Sequence, residues 1–327
     1  LYEGLEVDAL RALMSRALDY AGLFPPAKLP LDEAIKEFAE LRQDPHEWLL
    51  VRFVLPAARA GDFAQEARLQ LAAASDSHRP WHLTALLKSG PSISEALEFI
   101  RAECHLLKGL LESHADAVVL DSFETPLPEE ILESHDQELV RSFFQQANKI
   151  FDEFQFRLPV FWEVNLNKHF DHVARAAYHY NLHESGRACL KFRTGGLTAA
   201  AIVSPDKLAH ALHMTAQHRL PFKLTAGLHL ALRHYDAAVG TDVFGFLNVF
   251  SAAVLAWTAQ LSETEIQFLL EEKTLKELRY NESGLSWKNY SASIADIRQV
   301  RAVGLRSFGS CSFREPVEDL KQLKLLD

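Results

Sequence analysis

Three basic side chains stand inside segments that otherwise have the composition of buried strands: Lys191 and Arg193 in "ACLKFRTGGLTAAAI", and Lys223 in "LPFKLTAGLHLAL". Burying an ion costs several kcal/mol unless a partner offsets it, so charges in such runs need either an opposite charge or a wet pocket. Side chains alternate across a strand, which puts Lys191, Arg193 and Gly195 on one face and Phe192 and Thr194 on the other. By the same rule Lys223, Thr225 and Gly227 share a face, opposite Phe222 and Leu224. In "LPVFWEVN" it pairs Glu163 with Asn165, opposite Trp162 and Val164. Asp121, Arg52 and Asn248 are further candidates for the same polar interior.

A cluster of at least three cations and two acids, Glu163 and Asp121, suits a wet pocket and a ligand better than a filled core. An arginine presents a planar fork to carboxylate or phosphate, and the Thr194-Gly195-Gly196 turn lets backbone approach an anion. Thr225 and His229 follow the seventh strand toward the same rim, and Asn165, Asn248 and Arg52 complete the expected substrate-binding set. A purely structural reading stands beside this one: Glu163 with Lys191 or Arg193 as an ion pair filling the interior.

Strand-like runs alternate with helical patterns along the chain, as repeated βα units require. The runs are 18–24, 48–55, 81–88, 116–123, 158–165, the stretch opened by "ACLKFR", "LPFKLTAG" and "GFLNVF" at 245–250. Ser92 and Glu95 fit a capping box, Ser204-Pro205-Asp206 fits a helix start, and Gly186 fits a helix C-terminus. Eight such units predict an α/β fold, a closed (β/α)8 TIM barrel over 1–261, whose strand C-terminal ends hold its chemistry. Residues 262–327 are expected to form a helical C-terminal extension packed on the barrel, with "FGSCSFREP" an irregular link, offering a lid or a contact in a homo-oligomer.

Composition narrows the partners. The 327 residues are 48% hydrophobic and 24% charged, with a formal net charge of −10, which predicts a packed core and argues against nucleic acid. Three widely spaced cysteines without CxxC spacing give neither a disulfide framework nor a cysteine zinc site, and point to a reducing, cytoplasmic setting. No apolar run approaches the roughly 18 residues of a membrane span. The fifteen histidines include no HExxH; His169, His172, His179, His183, His210, His213 and His218 read as surface or helix-packing residues. Neither a metal nor a cofactor is expected, and the expected partner is a small anionic molecule.

The two lysine segments resemble those of class I aldolases of the deoxyribose-phosphate aldolase type. The resemblance implies Lys191 as the imine-forming residue, Lys223 as the neighbouring cation and Asp121 as proton carrier. The chain departs from that pattern with Phe192 and Arg193 where small hydroxyl residues are usual, and with Gly227 alone where two glycines are usual. As a whole, with "KFRTGG", "FKLTAGLH" and "GFLNVF", it is also similar to uncharacterised bacterial barrel proteins. Three functions follow as expectations: a Schiff-base lyase or aldolase acting on a small phosphorylated or carboxylated carbonyl compound; a metal-dependent isomerase or enolising enzyme using Asp121, Glu163 and His229; and a non-catalytic small-molecule-binding barrel.

Overall fold

A computed structural model describes residues 8–183 and 187–327, and shows a closed barrel of eight parallel strands. In chain order the first seven are β1 (Leu18–Tyr20), β2 (Leu50–Pro56), β3 (Trp81–Leu86), β4 (Val118–Pro126), β5 (Val160–Val164), β6 (Ala188–Arg193) and β7 (Phe222–Thr225). Each pairs with its sequence neighbour. Helices between them carry apolar stripes onto the outer barrel face. Tyr20, Phe53 and Trp81 on the strands interlock with Phe38 and Phe63 on the helices, with ring centroids 4.9–6.1 Å apart. Trp162 packs between Phe143 and Phe144, and Phe123 stacks on Phe151 at 4.5 Å. These rings fix which side of each strand faces the helices and hence which residues must point inward.

The eighth strand is not "GFLNVF". Phe246–Thr258 is a helix, and every residue from Phe246 to Trp257 is buried. A helix that is apolar all round gives no periodic signal, so a short window of it is indistinguishable from a buried strand. The closing strand is β13 (Leu305–Ser310), which pairs with β7 on one side and β1 on the other. Its sequence "LRSFGS" is half polar, which concealed it. The stretch expected to be appended outside the barrel therefore completes it.

Between β7 and the closing strand the chain makes a long excursion. It forms a hairpin of β8 (His234–Asp236) and β9 (Thr241–Val243), then the buried helix, the helix Glu263–Leu270, and an antiparallel sheet of β10 (Leu278–Asn281), β11 (Gly284–Trp287) and β12 (Tyr290–Ser293). The helix Ile294–Val303, started by a Ser293–Asp296 capping box, leads into β13 (Leu305–Ser310), and the helix Arg314–Gln322 follows.

Local signals held where side-chain chemistry set them. Ser92 and Glu95 form the capping box of the helix Ile93–Ser113. Ser204 precedes the helix Pro205–Gln217, with Pro205 in the first turn, although the Ser204 side chain makes no capping bond to that helix's backbone. The Gly186 expectation lies outside the described residues. Among the described residues, no helix is long and apolar enough to cross a membrane.

Candidate active site

Register places three charges side by side on the inner wall: Glu163 opposite Lys191 on the next strand, and Lys191 opposite Lys223 on the one after. A fourth charge, Glu124 of β4, ties them together. Lys191 Nζ lies 2.8 Å from Glu124 Oε2 and 2.9 Å from Glu163 Oε2. Lys223 Nζ lies 3.0 Å from Glu124 Oε1 and 3.0 Å from Asp19 Oδ2, and donates to Thr84 Oγ1 and Ser122 Oγ. It also sits 4.6 Å from the centroid of the Phe161 ring. Arg193 Nε donates to Glu163 Oε1 at 3.0 Å. Deeper in the barrel, Arg52 bridges Asp19 and Asp121, and Asp121 meets His82 Nδ1 at 3.1 Å. Ser307 on the closing strand donates to Asp19 at 2.6 Å.

Lys191, Glu124, Glu163 and Arg193 line one cavity of about 730 Å³. They are polar spots in a mainly apolar wall that includes Phe24, Pro25, Pro26, Val54, Leu86 and Leu224. The hairpin contributes Ala238, Val239 and Val243, while the segment after β13 contributes Cys311 and Glu315. A concave, largely apolar cavity with a few convergent polar groups is the usual form of a small-molecule site, and the C-terminal strand ends are its usual place in this fold. A second cavity of about 290 Å³ shares Glu163, Arg193 and Pro126 with the first.

The electrostatics reverse one expectation. Burial drives Lys191 toward the neutral amine, but the charges and hydrogen bonds of Glu124 and Glu163 outweigh it and hold its pKa above the ordinary lysine value. A neighbouring lysine does not lower it, because Glu124 stands between the two ammonium groups and neutralises both. Burial likewise acts to raise the Glu124 and Glu163 carboxyls, and their cationic partners prevail. Glu124, against Lys191 and Lys223, falls to about 2; Glu163, against Lys191 and Arg193, also falls below the usual carboxylate value. The resting site is thus an alternating chain of full charges.

The expected residues divide by position. Lys191, Glu163, Arg193, Gly196, Thr225 and His229 line the main cavity, and His229 Nδ1 contacts Glu315 Oε2 at 2.9 Å. Lys223 is 1% exposed and sealed beneath Glu124, so it reaches the cavity only through that carboxylate. Asp121 and Arg52 do not line either cavity; they pair with each other below the site, where burial is outweighed by His82 and Arg52 and Asp121 stays ionised. Asn165 lines the smaller cavity.

Three further expected binding residues, Thr194, Gly195 and Asn248, line neither cavity. Thr194 is buried and donates its hydroxyl to the carbonyl oxygen of Ala226, which ties the end of β6 to the end of β7. Gly195 is small for packing rather than for a ligand: a Cβ there would stand 3.1 Å from Gly227 Cα. Asn248 sits on the buried helix, where its Nδ2 donates to the carbonyls of Leu269 and Glu272 and its Oδ1 accepts from Arg233 N. Asp121, Glu163 and His229 each have separate partners, and among the described residues no group of three or more His, Cys, Asp or Glu side chains is placed to hold a metal ion.

Glu124 is a cavity-lining charge that sequence reasoning left out of the site. Alternation counted from Asp121 turns Glu124 toward the helices. The β3–β4 register shifts instead, with Leu83 opposite Leu120 but Thr84 opposite Ser122. That bulge changes the phase of the strand, so Ser122 and Glu124 face inward while Phe123 packs on Phe151. The signal available was Phe123 itself, an aromatic side chain of the kind that packs strands onto the outer helices in this barrel.

No family model matches the chain, and no curated protein matches it. Among solved structures it is similar to a lysine/ornithine decarboxylase complexed with cadaverine from Vibrio vulnificus, at 15% identity and a TM-score of 0.36, covering 80% of this chain and 57% of that one. It is also similar to a mutant of the CcCel6A catalytic domain, at 11% identity and a TM-score of 0.27, covering 78% and 66% of the two chains. The chain thus spans little more than half the length of the decarboxylase.

Proposed function

We propose that this barrel is an enzyme acting on a small carbonyl compound with an apolar body and one acidic group, and that Lys191 condenses with the carbonyl as in a Schiff-base lyase or aldolase. The observation that carries this reading is the position of the Lys191 amine on the cavity wall, within 2.9 Å of two carboxylates that line the same cavity. For attack, the ammonium gives a proton to Glu124 or Glu163, and the amine forms a C–N bond as the carbonyl π pair moves to oxygen. That oxygen takes the proton back from the carboxylic acid, takes a second proton from the nitrogen, and leaves as water, with a cationic iminium behind.

The raised pKa of Lys191 is compatible with this route. Ammonium and iminium carry the same charge at nearly the same place, so the carboxylates that stabilise one stabilise the other. Only the short-lived neutral amine is disfavoured. The buried Lys223 keeps Glu124 ionised in the resting state, where it is a weaker proton acceptor than an ordinary carboxylate. Once the iminium has formed, Glu163 is the base placed to take a proton from the substrate. No cofactor is needed for these steps.

The test is borohydride trapping with a panel of aldehydes, ketones and 2-oxo acids, followed by peptide mass mapping. The expected result is a reduced adduct on Lys191 in the intact protein and none in Lys191→Met. Turnover of any panel compound with no adduct would instead favour a protonated Lys191 that stabilises an enolate. Saturable binding without turnover or adduct would favour a binding protein.

A further inference from the structure

The smaller cavity has a polar wall of unusual composition. Its polar lining residues are Glu163, Asn165, Asn167 and Arg193, set among aliphatic groups such as Leu127 and Val203. Each side-chain oxygen on that wall already has a partner. Asn165 Oδ1 accepts from the Asn167 backbone N at 2.9 Å, Asn167 Oδ1 accepts from Lys207 Nζ at 2.9 Å, and Glu163 accepts from Lys191 and Arg193. Because a backbone N–H and an ammonium only donate, both amide orientations are fixed: the unspent atoms are the two Nδ2 donors. Arg193 adds its guanidinium; among the described residues only its Nε has a hydrogen-bond partner, and its side chain is 54% exposed. The Lys207 ammonium on Asn167 further polarises that amide and makes it a better donor.

A wall whose side-chain oxygens each already accept a hydrogen bond, and whose unspent side-chain nitrogens only donate, matches a group that only accepts. We infer that the smaller cavity seats a carboxylate or phosphate, held by Arg193, Asn165 and Asn167, as the acidic end of the compound whose carbonyl meets Lys191; in that last respect it rests on the function proposed above. The anion subsite therefore lies on the β5–β6 side of Arg193 and not on the Gly195-Gly196 turn, where Gly195 is spent against Gly227. Glu163 and Arg193, which line both cavities, form the partition across which such a ligand reaches. The substrate class is thus an oxo acid or a phosphorylated carbonyl compound whose acidic group and carbonyl are separated by the width of this ion pair.

Inorganic phosphate and acetate, titrated calorimetrically into the intact protein, test the subsite without any imine chemistry. Saturable binding of either is expected, weakened at least tenfold by the Asn165→Leu, Asn167→Leu double substitution. Arg193→Gln, which keeps a donor toward Glu163, is a second variant expected to weaken it similarly should the first not fold. Tighter phosphate than acetate would assign a phosphorylated ligand, and the reverse a carboxylic acid. Absence of saturable binding for both anions, or unchanged binding in the variants, overturns the subsite. Neither probe forms an imine, so failure to trap an adduct on Lys191 leaves this result standing, and the converse also holds.

Discussion

Replacing Glu124 with Gln removes a carboxylate that touches both buried lysines while keeping its volume. In the wild-type protein the carboxyl drops from an ordinary 4.5 to about 2, despite burial that by itself would raise it. A shift of that size corresponds to roughly 3 kcal/mol of folding free energy at neutral pH. It falls in the range of about 3–5 kcal/mol expected when one partner of a buried ion pair is removed. The variant should therefore be less stable than wild type by about 3 kcal/mol at pH 7 in urea unfolding followed by tryptophan fluorescence. The pH dependence supplies the sharper check. A folded-state pKa below the unfolded one contributes stability that is fully present above about 4.5 and is lost as pH falls toward about 2. The gap between the two proteins should narrow by about 1.4 kcal/mol for each pH unit below 4.5. A gap under about 1 kcal/mol at pH 7, or one that stays constant from pH 6 to pH 3, would refute the claim that Glu124 is held ionised by Lys191 and Lys223.

Two other substitutions probe the frame of the site. Asn248→Leu leaves the Leu269 and Glu272 carbonyls and the Arg233 amide without their side-chain partner, and should lower stability by about 3 kcal/mol or more, read as a fall in melting temperature. Gly227→Ala forces a side chain onto a backbone at φ +77 and brings its Cβ 3.2 Å from Gly195 Cα; a loss of at least about 1–2 kcal/mol is expected, with the control Gly61→Ala, where nothing lies within 4 Å, nearly neutral.

The barrel was legible because seven of its strands are short, largely apolar runs separated by helical segments. Phe192 and Trp162 pack against outer aromatic rings, so by alternation Lys191, Arg193 and Glu163 face inward, and the structure brings these three to one cavity. What was not legible depends on facts that no single segment carries. The inward turn of Glu124 comes from a bulge set by pairing with β3, and the place of Lys223 beneath it follows from the width of the closed barrel. Asn248 was misread because a helix buried on every side has the composition of a central strand, and Asp121 because its charge, though inward, is spent on Arg52 and His82. The counter-charges hold the main lesson: three cations in strands, with Glu163 beside two of them, were visible, but Glu124 and Asp19, which neutralise Lys223, come from β4 and β1, which do not pair with β7.

Barrel closure by β13 makes the order of synthesis matter. Asp19, 1% exposed, obtains its Ser307 partner only after a further 288 residues have been made, because the strand beside it, β13, is the last of the eight barrel strands in chain order. Until then β1 and β7 are bare edges, each able to recruit a foreign strand. Cooperative closure of contacts this distant in sequence is slow, so a ribosome-bound intermediate with an unclosed seam would be the species most in need of a chaperone.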